Sequence, residues 1–246
     1  MALIRDVARR LMDSPKPLLL LDTCELINIV QSLKEKRKWL ETAVDILGKL
    51  TLNPDSFEIV ISELVRIEWQ QNALAKKKDL DNYIESLDSQ IARMHQAWSH
   101  LRKPLPFKPA EYGKLALSDH VMSLVNNLMD QAAEISFDDD CKNKAFSRVI
   151  GKKQPSGSGQ FKDALLVEHY LRLSNLLKVE GYPYRRIFVT SNVKDFSLRG
   201  DYKSKDRNDI LHPDLQLEFN SCDLEYFVDL RVAFENLIRN PDLPKS

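Results

Sequence analysis

The sequence predicts an α/β chain: a three-layer α/β/α sandwich around a mostly parallel central sheet of about five strands, with a helical insertion. Three observations lead there. Short apolar runs such as "LLLLD", Leu18 to Asp22, end abruptly at a polar residue. They read as strands buried on both faces, as in parallel sheets covered by helices. Helical patterns long enough to serve as crossovers separate these runs, which makes the joined strands parallel. The chain of 246 residues can bury a substantial core, and it reads as a single domain over residues 1–246.

In chain order, "MALIRDVARRLMDSP" spaces apolar residues among Arg5, Asp6, Arg9 and Arg10, which suits a short amphipathic helix better than a signal peptide. "LLLLD" is the first strand. Helical pattern follows from Leu26 to about Leu50 with a break near "KEKRKW", and "FEIVIS" is a second strand that opens another helix. From Leu64 to Leu101 the chain is rich in helix formers and free of Gly and Pro; the prolines of "RKPLPFKP" then enforce a connector. A helix over about Ser118 to Ala133 leads into "EISF", the third strand, so residues from about 70 to 134 form the insertion. "GKKQPSGSGQ" is a loop, "FKDALLVEHYLRLSNLLKV" a helix, "RRIFVTS" the fourth strand and "LQLEF" the last. "LEYFVDLRVAFENLI" is the closing helix, over about 223–239.

Composition excludes several classes. Thirty-six Lys and Arg balance thirty-six Asp and Glu, so no global field attracts polyanions and any nucleic-acid contact must come from local patches. Cys24, Cys141 and Cys222 are odd in number and lack zinc-like spacing, which is expected of free thiols in a reducing cytoplasm. No apolar run approaches membrane-spanning length, and no membrane partner is expected.

Four acids stand out. Asp22 closes a buried strand, where ligands of open α/β sheets bind, although it could also cap the helix that follows. With Leu64 at zero and about 100° per residue, Ile67 falls near 300°, Leu74 near 280°, Val65 near 100° and Glu68 near 40°. Glu68 therefore lies among apolar positions, too deep in its helix to cap it. Taking Asp163 as zero, Leu166, Val167, Tyr170, Leu171, Leu173 and Leu177 all fall within about 80° of it. Asp163 points inward, although its first-turn placement also suits the helix dipole. Glu168 falls near 140°, beside Arg172 and Asn175, and reads as a solvated surface acid. Glu63 lies at the border of its stripe and serves the first turn electrostatically. Asp195 follows the fourth strand as Asp22 follows the first, with turn formers Asn192 and Ser197 around it. Buried carboxylates are costly unless paired, hydrogen-bonded or bound to metal.

The series "LLLLDTCEL", "VISELVRIEW", "FKDALLVEHYL" and "IFVTSNVKDF" resembles, in order, the four acidic motifs of PIN-domain nucleases, and within them the larger PIN-like group with a helical insertion between the second and third motifs. The resemblance covers about residues 15 to 220. It matches Asp22 and Thr23 to the first motif, Ser62 and Glu68 to the second, Asp163 to the third, and Thr190, Asp195 and Phe196 to the fourth. Many relatives carry an acid directly after the Thr turn; this chain has Ser191 and Asn192 there. A likeness to haloacid-dehalogenase-like phosphatases is weaker, because the second Asp those enzymes need is replaced by Cys24.

The PIN resemblance implies a nuclease whose Asp22, Glu68, Asp163 and Asp195 hold one or two Mg²⁺ or Mn²⁺ ions. Hard cations that prefer oxygen ligands suit such a set. Thr23, Thr190 and Asn192 would orient the ligands, and the cluster Asp138 to Asp140 caps the next helix instead. The implied substrate is RNA, with DNA left open, and a silent RNA- or protein-binding scaffold is the alternative. An antitoxin or defence-complex protein is the partner that such relatives suggest. Candidate substrate contacts are Lys76, Lys77 and Lys78, Lys152 and Lys153, and Arg185 with Arg186; Trp69, Trp98 or Tyr112 could stack on a base. The "SGSG" loop before Asp163 could cradle a phosphate.

Overall fold

The computed structural model describes residues 3–35, 37–101, 111–156, 160–198 and 210–242. Its strands are β1 (Leu18–Leu21), β2 (Glu58–Ser62), β3 (Ala133–Ile135), β4 (Arg186–Val189) and β5 (Leu224–Phe227). They form one sheet in the order β3-β2-β1-β4-β5, and every pairing is parallel. Helices α2 (Thr23–Glu35), α3 (Trp39–Leu52), α4 (Glu63–Leu101) and α5 (Leu117–Asp130) pack on one another along the crossovers from β1 to β3. A second layer packs around α7 (Phe161–Val179): α1 (Ile4–Asp13), α6 (Asp139–Ile150) and α9 (Pro213–Ser221). The short α8 (Val193–Phe196) follows β4, and α10 (Leu230–Arg239) rests on β1, β4 and β5 beside α3. The result is a three-layer α/β/α sandwich. No helix among the described residues is long and apolar enough to cross a membrane.

The winding reverses between β1 and its neighbour β4. From β1 the chain steps outward to β2 and β3, then returns to β4 and steps out to β5 on the other side. A crevice opens at the carboxyl ends of strands at such a reversal. Leu18 to Leu21 are each at most 1 % exposed, so the two central strands are rigidly held where that crevice lies.

The C-terminal expectations need correction. "LQLEF" is helix α9, not a strand: Leu215 and Phe219 are buried four residues apart while Leu217 is 79 % exposed. Pro213 opens the helix and His212 Nδ1 accepts the Asp214 N–H at 3.2 Å, a start signal that the alternating leucines obscured. The expected closing helix over 223–239 splits into β5 and α10, because Asp229 caps α10 by accepting the Arg231 and Val232 N–H groups at 3.0 and 3.1 Å. Within the expected insertion, α5 buries Val121, Val125, Leu128 and Met129 in the common core. Leu74, used to orient α4, is 79 % exposed. The proline connector "RKPLPFKP" and most of "SGSG" lie outside the described residues.

Arg185 and Arg186, expected at substrate, are built into the opposite end of the sheet. Arg185 forms a double contact with Glu225 at 2.6 and 2.5 Å and donates to the carbonyls of Asn236 and Asn240. Arg186 is fully buried; it reaches the Cys222 carbonyl at 3.1 Å and Asp223 at 3.3 Å, and its Nε and Nη1 have no hydrogen-bond partner. Burial lowers its pKa.

Two substitutions separate well-used from poorly used interior. Leu20→Ala should cost about 2–5 kcal/mol of unfolding free energy in urea. Arg186→Met should be neutral or stabilise by about 1–4 kcal/mol, because an incompletely satisfied buried ion is exchanged for an apolar side chain of similar length.

Candidate active site

The candidate site is the crevice at the ends of β1 and β4. The Asp22 N–H donates to the Val189 carbonyl at 3.2 Å, which carries the ladder one residue past β1. Thr190 Oγ1 donates to Asp22 Oδ2 at 2.6 Å and accepts the Asn192 N–H at 3.1 Å. The Cys24 thiol donates to the same Asp22 oxygen at 3.2 Å. Thr23, first residue of α2, donates to Glu68 Oε2 at 2.7 Å and so ties α4 to the end of β1. Asp163 stands in the first turn of α7, and Asp195 lies in α8 with only 6 % of its surface exposed.

Asp163 lies within electrostatic reach of the other three acids. The Asp163 carboxyl is pushed up to about 7, first by burial and then by the charges of Asp22, Asp195 and Glu68; Lys162 acts the other way. Its Oδ2 is buried without a hydrogen-bond partner. Asp22 is also raised, by burial above all and by the Glu68 charge, against the pull of the Thr190 and Cys24 hydrogen bonds. Among the described residues the only ion pair made by these four acids is Glu68 Oε1 with Lys162 Nζ, at 3.1 Å.

Thr23 and Thr190 each donate to a carboxylate, and Asn192 supports Thr190 through its backbone. Asp138 caps α6 by accepting the Cys141 N–H at 3.1 Å, and Arg172 binds both it and Asp140, so this cluster stays outside the site. Lys77 pairs with Asp81 and Asp119, each at 3.2 Å; Lys76 is half-buried and Lys78 exposed beside it. Lys152 and Lys153 are exposed just after α6. Trp69 cannot stack on a base: it is 2 % exposed and its indole N–H donates to Asn126 at 3.0 Å. Trp98 and Tyr112 are each 42 % exposed.

Two acids differ from their sequence reading. Glu168 is buried, not solvated, and accepts from Arg148 at 2.9 and 2.6 Å, because α7 is covered by α1, α6 and α9 as well as the sheet. Glu63 is more than a first-turn charge, since it accepts the Phe137 N–H at 3.0 Å and anchors the segment after β3.

Sequence reasoning missed the floor of the site. Glu25 is fully buried next to Asp22 and accepts the Ser191 N–H at 2.8 Å; its Oε2 has no partner, and burial pushes its pKa up to about 8. Asn28 donates to Ser191 Oγ at 2.7 Å, so α2 grips the turn after β4 at two points. The signal was present in "DTCELIN", whose Glu25 and Asn28 fall three and six residues after Asp22 on the face toward β4.

No family model, curated protein or solved structure matches the chain. Among the described residues no three His, Cys, Asp or Glu side chains stand in a metal-binding arrangement. The donor chemistry nonetheless fits a hard cation. The site offers carboxylate and hydroxyl oxygens, its thiol is held protonated by burial beside Asp22 and Glu25, and Asp163 Oδ2 lacks a partner.

The raised Asp163 pKa fixes a sign. The folded protein binds this proton more tightly than the unfolded chain, so stability without added metal should fall as pH rises from about 4 to about 7. Asp163→Asn should remove that part of the fall. The variant should exceed wild type by on the order of 2 kcal/mol at pH 8, with the gap closing toward pH 4, in denaturant melts recorded in EDTA.

Proposed function

We propose that the chain is a metal-dependent nuclease, an endoribonuclease that hydrolyses phosphodiester bonds of single-stranded RNA or exposed RNA loops. One observation carries the reading: acids from four separate segments of the chain come within electrostatic reach of one another at the sheet's reversal point, where Asp163, pushed up to about 7 by burial first, also feels the charges of Asp22, Asp195 and Glu68. Their order along the chain is that of the PIN-domain motifs the sequence resembles.

Asp22, Asp163 and Asp195 would hold a Mg²⁺ or Mn²⁺ ion, and Glu68 would join them by turning from Lys162. Such an ion supplies an activated water and charge neutralisation at the leaving oxygen. The chain's own part is positioning. Thr190 and Cys24 both donate to Asp22 Oδ2, which pins that oxygen and leaves Oδ1 for an ion. Thr23 fixes the height of Glu68. Glu25 and Asn28 hold the turn after β4, and with it the segment that carries Asp195. Preorganised acids of this kind avoid reorganisation at the moment of reaction.

A second reading, a silent scaffold for RNA or protein, is favoured by the absence of a metal-binding arrangement among the described residues. One experiment separates the two. Labelled single-stranded RNA and DNA are incubated with wild type and Asp22→Asn in Mg²⁺ or Mn²⁺. The nuclease reading expects wild type to cleave RNA, Asp22→Asn to lose at least about 100-fold of that rate, and Mn²⁺ to raise the melting temperature of wild type alone. RNA left intact by wild type favours the scaffold, and cleavage of DNA alone changes the substrate class.

A further inference from the structure

Four carboxylates at one sheet edge need counter-charge, and among the described residues the cation that pairs with them is Lys162. It sits beside Asp163 in the first turn of α7 and reaches across to α4. Its side chain is 55 % exposed, whereas that of Glu68 is 21 % exposed, so the ammonium enters the pocket from the solvent side. The two oxygens of Glu68 are thus divided: Oε2 is fixed by the Thr23 hydroxyl at 2.7 Å, and Oε1 is taken by Lys162 at 3.1 Å. The first partner is part of the framework and the second is a flexible surface side chain. Lys162 also opposes the charges that raise Asp163, so it acts on two of the four acids at once.

We propose that Lys162 is a built-in exchangeable counter-ion: it holds Glu68 while the pocket lacks a divalent cation, gives way when an ion binds, and then presents its ammonium to a phosphate of the substrate. This rests on the metal-dependent nuclease reading. An ion pair so exposed is weak, about two- to fivefold in an equilibrium constant, and a divalent ion among four carboxylates outcompetes it. Release leaves Oε1 of Glu68 facing the pocket with Thr23 still holding Oε2. The freed ammonium stays tethered next to Asp163, at the rim a phosphodiester must cross to reach the acids. A point charge on a flexible stem suits phosphate contact that does not depend on base identity.

The test titrates Mn²⁺ into wild type, Lys162→Gln and Lys162→Arg, follows the melting temperature, and measures KM for labelled RNA in parallel. Lys162→Gln should bind Mn²⁺ about two- to fivefold more tightly and raise KM by a similar factor, while Lys162→Arg stays near wild type in both. The gain in Mn²⁺ affinity should vanish in a Glu68→Gln background, since the competition acts through that carboxylate. An unchanged or weaker Mn²⁺ midpoint in Lys162→Gln, or an unchanged KM, overturns the proposal while leaving the metal reading intact. A wild type that Mn²⁺ does not stabilise removes both.

Discussion

The hydrogen bond from Thr190 to Asp22, 2.6 Å long, joins the ends of the two central strands. Everything at the candidate site is placed relative to it. Because β1 and β4 are neighbours at the reversal of winding, the segments leaving them diverge to opposite layers and open a crevice with Asp22 at its base. Asp22 then sets where Thr23 begins α2, and Thr23 sets where Glu68 stands. Asp163 and Asp195 approach from the other layer and from the turn after β4. A buried carboxylate held by a threonine hydroxyl is therefore both a structural joint and a member of a group of acids that raise one another's pKa.

That group of acids opposes the stability of the fold. Asp22, Asp163 and Glu25 are all raised by burial, and the nearest acids raise Asp22 and Asp163 further. The buried Arg148–Glu168 pair shows what a satisfied arrangement looks like in this chain: Glu168 is bound by Arg148, which also reaches Glu218 and the Gln154 carbonyl. Among the described residues the acids at the strand ends have one exposed lysine paired with them. Strain that is retained at a sheet edge where ligands bind is the pattern expected of a functional site, and a bound cation is the simplest group that would relieve it.

Much of this was legible in the sequence, and what was not has physical causes. Asp22 was visible because a strand of four leucines ends on a carboxylate, and Glu68 because its neighbours Leu64 and Val65 are core residues, 6 % and 0 % exposed. Helical arcs worked for Asp163 but failed for Glu168, since an arc presumes one solvent face and α7 has buried residues nearly all round. Glu25 was hidden because the backbone group it binds, the Ser191 N–H, lies 166 residues away, across a strand pairing that no local pattern encodes. Lys162 stood next to a recognised acid, yet charged residues in a first turn are ordinarily solvated, and only the fold brings α4 within its reach. The swap of strand and helix near the C-terminus followed from Leu215, Leu217 and Phe219, whose alternation fits a strand as well as a helix face.

The most direct measurement is anomalous diffraction from crystals grown with Mn²⁺. Density for one or two ions within coordination distance of Asp22, Asp163 and Asp195, with Glu68 turned toward them, is the expected result. Crystals in Mn²⁺ that leave these carboxylates without an ion, Glu68 still bound to Lys162, would contradict the account at its centre.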